Sequence, residues 1–89
     1  MAQALGLLET KGYVGAVTGA DAMLKTGHVS LVGRETTGGG YMTVIVRGEQ
    51  EEVEKAVNVG AKVAERVGEL ISSHVVVDPH ARLSGLLPK

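Results

Sequence analysis

The stretch ALGLLETK, residues 4–11, is an apolar run ending in charged residues and predicts a short β-strand. It is followed by GYVGAVTGADAMLKTG, residues 12–27, where Val14, Val17, Ala20 and Leu24 recur at the spacing of one helical face and Gly27 supplies the stop. In HVSLVGRE, residues 28–35, Val29, Leu31 and Gly33 alternate with Ser30 and Val32, and YMTVIVRG, residues 41–48, is rich in β-branched side chains. The intervening TTGGG therefore reads as the turn of an antiparallel hairpin. From Glu49 the period lengthens, with Val53, Ala56, Val57, Gly60, Ala61, Ala64 and Val67 at three- and four-residue steps. Glu49, Glu51 and Glu52 suit the positive end of this second helix, and Gly68 closes it. LISSHVVVD, residues 70–78, is a last strand, and PHARLSGLLPK a tail with room for one short helix.

The order is βαββαβ, with two crossovers expected to be right-handed and a central hairpin between them. This predicts a single α/β (α+β) domain over residues 1–89, ferredoxin-like, with both helices on one face of the sheet.

Composition narrows the functions open to such a domain. Hydrophobic residues make up 44% of the 89, yet the chain lacks Phe and Trp, so its core rests on Val, Leu, Ile, Ala and Met. A monomer of this size buries only about 60–65% of its unfolded surface. Its 13 Gly weaken local structure further, so an obligate oligomer is expected, with apolar burial between subunits. Gly15, Ala16, Gly19 and Ala20 on the first helix are expected to let subunits approach closely. A net charge of -1 with dispersed Lys and Arg gives no field for nucleic acid. The absence of Cys removes disulfides, thiolate metal sites and thiol catalysis. No segment reaches the roughly 18–20 apolar residues of a membrane span, and a cytosolic placement is the default expectation.

The candidate chemistries are sparse. RNA recognition on this frame needs aromatic platforms on the central strands, where only Tyr41 is available. His28, His74 and His80 follow no ligand spacing, and no cofactor is implied. Ser73 and His74 are strand neighbours that point to opposite faces, so they do not form a nucleophile–base pair. Glu9 and Glu35 would make an acid/base pair only if their strands were adjacent, and they read more simply as solvated or ion-paired carboxylates. Lys11, Arg34 and Arg47 read as surface or interface charges. The glycine run lies in a β–β hairpin and misses the GxGxxG spacing, so it is no helix-dipole phosphate cradle. Three glycines nonetheless exceed what a hairpin needs.

Taken in order, ALGLLETKG, GADAMLKTGHVSLVGRE, GGGYMTVIVRGE and SSHVVVDPH, with Leu87-Pro88 after them, resemble the single-domain hexameric shell proteins of bacterial microcompartments, the BMC-H family. The likeness is collinear from Ala4 to about Pro88. It implies the same βαββαβ BMC domain with a short C-terminal helix, and a structural rather than enzymatic role. It further implies a homohexamer that tiles edge to edge into the facets of a shell in the bacterial cytoplasm. The implied partners are pentameric and tandem-domain trimeric shell proteins and the encapsulated enzymes, with small metabolites crossing a central pore. By that resemblance Thr36, Thr37, Gly38, Gly39 and Gly40 line the pore, and Lys25, Asp78, Pro79 and His80 lie at the hexamer–hexamer edge.

Two departures from the family pattern bear on these sites. Many relatives carry KIGSG where this chain has TTGGG, so pore polarity does not carry over. They also carry Arg before the Pro-His pair, where this chain has Asp78. Asp78 followed by Pro79 suits a helix N-cap and first turn, or alternatively pairs with Lys25 across the seam. The competing class is a ligand-binding or regulatory module on the same frame, which predicts a dimer, trimer or tetramer with saturable binding.

Overall fold

The computed structural model describes residues 3–77. Asp78, Pro79, His80 and the expected C-terminal helix lie outside the described residues. Seven elements run β1 (Gln3–Lys11), α1 (Tyr13–Thr26), β2 (Val29–Thr36), a short 3-10 turn (Gly38–Gly40), β3 (Tyr41–Glu49), α2 (Gln50–Val67) and β4 (Glu69–Val77). The sheet order is β2-β3-β1-β4 with every neighbouring pair antiparallel, the ferredoxin-like arrangement that the element order implies. The strands begin and end within a residue or so of the sequence expectation.

Both helices pack on the sheet face that carries Ala4, Leu8, Met42, Val44 and Val46, so the core is one layer between helices and sheet. On α2 the predicted face is the buried one: Val53, Ala56, Val57, Gly60 and Ala64 are inside. Val67, at its last turn, is exposed.

Of the face expected for α1, Ala20 is buried but Val14, Val17 and Leu24 are not, and that reading is corrected. The buried residues of α1 are Gly15, Ala16, Gly19, Ala20 and Met23, whereas Val14, Val17 and Leu24 are exposed. The reason is the closeness of the two helices. A Cβ at Gly60 would stand 3.2 Å from the Gly19 carbonyl oxygen, and one at Gly19 would stand 3.3 Å from that of Gly60. At the crossing, backbones this near leave room only for glycine and alanine, Met23 lies against Gly60, and Val14, Val17 and Leu24 turn outward. Gly15, Ala16, Gly19 and Ala20 therefore serve contact within the protomer, not between subunits.

Two irregularities alter the strand faces. A register shift between Leu31 and Gly33 turns Val32 to the helix-free face, where it packs with the buried pair Leu5 and Ile45, so the simple alternation expected in β2 breaks there. A second shift opposite Glu9 and Thr10 leaves Ile71 of β4 without a partner in the ladder.

A side chain fixes the approach of β2 to α2. The Glu52 Oε1 accepts the backbone N–H of His28 at 2.9 Å, and Lys55 Nζ lies 3.5 Å from its other oxygen. The hydrogen bond from His28, aided by Lys55, holds the Glu52 carboxyl below its ordinary pKa despite some desolvation.

Candidate functional site

The turn of the β2–β3 hairpin sits at one end of the sheet and is tied down by its neighbours. Thr37 N–H donates to Tyr41 O at 3.0 Å and closes the hairpin, and Gly12 N–H donates to Gly40 O at 2.8 Å. The second bond brings the β1–α1 junction against the turn. Thr10, fully buried at the end of β1, donates its hydroxyl to Gly12 O at 3.1 Å and so fixes that junction in turn.

The three turn glycines are exposed, and they differ in why they are glycine. Gly39 and Gly40 have φ of 80° and 82°, which L side chains adopt only with strain. A Cβ at Gly39 would also come within 3.2 Å of the Tyr41 ring. Lys11, opposite Tyr41 in the ladder, holds its ammonium 5.9 Å from the centre of that ring. Thr36 ends β2, and Thr36 and Thr37 are both exposed, so the turn presents hydroxyls and peptide groups with no ionised side chain of its own.

Around this end lies uncovered apolar surface. Tyr13 and Val14 at the start of α1 are 62% and 60% exposed, and Tyr41 and Val67 are also exposed. They belong together because Gly12 is bonded to the turn and Gly68, after Val67, abuts Gly15. Further apolar surface runs down both flanks. Val17, Leu24 and Leu31 lie on the α1–β2 side, and Ile71 and Val77 on the β4 side. The sequence reading missed this collar because it took Val14, Val17, Ala20 and Leu24 as the apolar face of the helix. The signal that would have found it is the second, small-residue stripe on the same helix.

At the proposed edge, Lys25 is exposed and its ammonium lies 3.0 Å from Asp21, an i,i+4 pair within α1. That pair competes with any partner across a seam, and its Coulombic worth in water is small.

The catalytic candidates do not converge. β3 stands between β1 and β2, so Glu9 and Glu35 both face Thr43 and not each other. Glu9 instead accepts the Ser72 hydroxyl at 3.0 Å. Ser73 lies opposite Leu8 and His74 opposite Leu7, on opposite faces as strand geometry requires. Among the described residues there is no group of three or more His, Asp or Glu placed to hold a metal ion, and no helix long and apolar enough to cross a membrane.

Comparison with known proteins agrees with the resemblance. The model of the BMC domain family matches residues 4–79. The chain is 49% identical over 87 residues to the carboxysome shell protein CsoS1C of Halothiobacillus neapolitanus, covering 97% of this chain and 89% of that one. It is likewise 49% identical over 88 residues to the carboxysome shell protein CsoS1 of Prochlorococcus marinus, covering 98% and 85%. A crystal structure of a microcompartment protein from Desulfitobacterium hafniense superposes with a TM-score of 0.77 over 85% of this chain, at 24% identity. The chain spans 41% of that protein, and the likeness is one of fold.

Proposed function

Because the chain belongs to the BMC domain family, we propose that it is a structural shell subunit of a bacterial microcompartment, acting by assembly and not by catalysis. In this reading six copies close into a ring, rings tile with one another and with other shell proteins, and the axis of each ring is a passage for small metabolites. The observation that carries it is the end of the sheet where a side-chain-poor turn is surrounded by the exposed Tyr13 and Val14. Exposed apolar side chains gathered beside a polar turn suit cover by another molecule. α1 packs on β1, β2 and β3, while α2 packs chiefly on β1 and β4 and reaches β3 and β2, so the two apolar flanks are unlike each other. Unlike flanks suit a head-to-tail contact, which closes as a ring when its rotation closes and otherwise runs on as a filament. A ring built on the glycine turns of Thr36 to Gly40 would set Thr36, Thr37, Gly38, Gly39 and Gly40 around its axis. Lys25, far along α1 from that end, would stand toward the outer edge.

The experiment is solution mass by light scattering, followed by electron microscopy of the same sample at higher concentration. Six times the chain mass with a central hole, gathering into sheets, tubes or closed shells, is the expected result. A monomer, or a dimer with saturable binding of a small molecule, would overturn it in favour of a ligand-binding module.

A further inference from the structure

Leu5 and Ile45 stand on the sheet face that carries no helix, yet they are only 0% and 2% exposed. Leu7, Val32 and Val76 surround them and are themselves half-buried. Neighbours of this kind hem a strand side chain at its flanks, because side chains on one face all stand upright off the sheet. They leave its tip open. Both helices pack on the opposite face, so among the described residues no helix is placed over these two side chains. Cover must come from the chain outside residues 3–77. Reversing a chain takes about four residues, so residues 1–2 are too few to fold back over Leu5. Residues 78–89 are enough.

We infer that residues 78–89 fold back as a strap across the helix-free face, from β4 over β1 and β3 toward β2. Val77 pairs with Ala4 and Val76 with Leu5, so the chain leaves β4 beside the row it must cover. The sequence DPHARLSGLLPK has the pattern for the task. Asp78 and Pro79 suit an N-cap and first turn, and Leu83, Leu86 and Leu87 fall at i, i+3 and i+4, on one face of a helix. A helix over 79–87 is about 13 Å long. The three strand spacings from β4 to β2 together span about 14 Å, so its leucine face matches the width of the sheet. The occupant of this face is therefore the chain's own end, and the inference does not depend on the ring. It bears on assembly, because the apolar surface left for contact between subunits is then that of the flanks.

Because the chain has no Cys, paired thiols report the strap directly. Full-length protein with Leu7→Cys and Leu86→Cys, treated with a short bismaleimide at low protein concentration, should be bridged within one chain. It should run as a single-chain band on a denaturing gel and carry the mass of one bridging linker. Lys62→Cys with Leu86→Cys should stay unbridged, because α2 holds Lys62 on the far side of the sheet. A Leu7/Leu86 pair that stays unbridged, or that links only between chains, would overturn the inference, the second outcome by making the occupant another copy. Leu83→Asp with Leu86→Asp should raise the fluorescence of anilinonaphthalene sulfonate severalfold and lower Tm by on the order of 10 °C, as the covered face is laid open. Unchanged dye binding and melting in that variant would also overturn it, since the leucines would then cover nothing.

Discussion

Two glycine-to-alanine changes on the packed helices should move stability in opposite directions. In Gly60→Ala, the new methyl group would stand 2.5 Å from Met23 Cγ and 3.2 Å from the Gly19 carbonyl oxygen. Cγ is near the root of the Met23 side chain and the carbonyl is backbone, so relief requires the helices to separate. Removing glycine from a helix interior gains about 0.8–1.0 kcal/mol. Overpacking a tight core costs about 1–3 kcal/mol. The net is a loss of about 1 kcal/mol. In Gly15→Ala, the same methyl meets Thr10 Cβ and Cγ2 at 3.6 Å and the Ala64 carbonyl oxygen at 3.7 Å, which is ordinary contact. Here the helix gain stands almost unopposed, about 0.5–1 kcal/mol in a first turn. For a domain of this size each kcal/mol moves Tm by about 4–8 °C, so the two variants should melt on the order of 8 °C apart. Thermal and urea melts would be run at one protomer concentration, since assembly makes stability concentration-dependent. A Gly60→Ala protein as stable as Gly15→Ala would refute the claim that backbone proximity fixes the helix pair.

Three further outcomes are expected. Gly38→Ala should leave the protomer as stable or more stable by about 0.4–1 kcal/mol, whereas Gly40→Ala should cost about 1–2 kcal/mol for its φ, as read by denaturant midpoints. Glu52 has a depressed folded pKa, so its contribution is full above the ordinary glutamate value of 4.5 and is lost as pH falls below that value through the folded pKa. Melts of Glu52→Gln should accordingly show a shallower acid limb than the unaltered chain. Val14→Asp, at an exposed position, should keep the far-UV circular dichroism of the fold and reduce the solution mass, because it places a charge in surface assigned to the subunit contact.

Much of this protein was legible in its local pattern. The element order follows from the switch of hydrophobic period at Glu49 and from glycines at 27, 68 and 38–40. The buried face of α2 follows from its period, since its apolar residues form one stripe against many charges. The family likeness is carried by collinear motifs and needed no coordinates.

Other features were decided only in three dimensions. α1 carries two candidate faces that share Ala20, one with Val14, Val17 and Leu24 and one with Gly15, Ala16, Gly19 and Met23. Hydrophobicity favours the first, but the distance between the helix backbones admits only the second. Strand order has no signature in any single segment; the sheet has the order that the ferredoxin-like arrangement implies, and its register sets Thr43 of β3 between Glu9 and Glu35. The glycines of the turn look alike in sequence. Their φ angles and the nearness of Tyr41 separate two that the protomer requires from one that it does not. A sequence pattern records period and residue size along the chain, whereas these choices depend on distances between segments that meet only after folding.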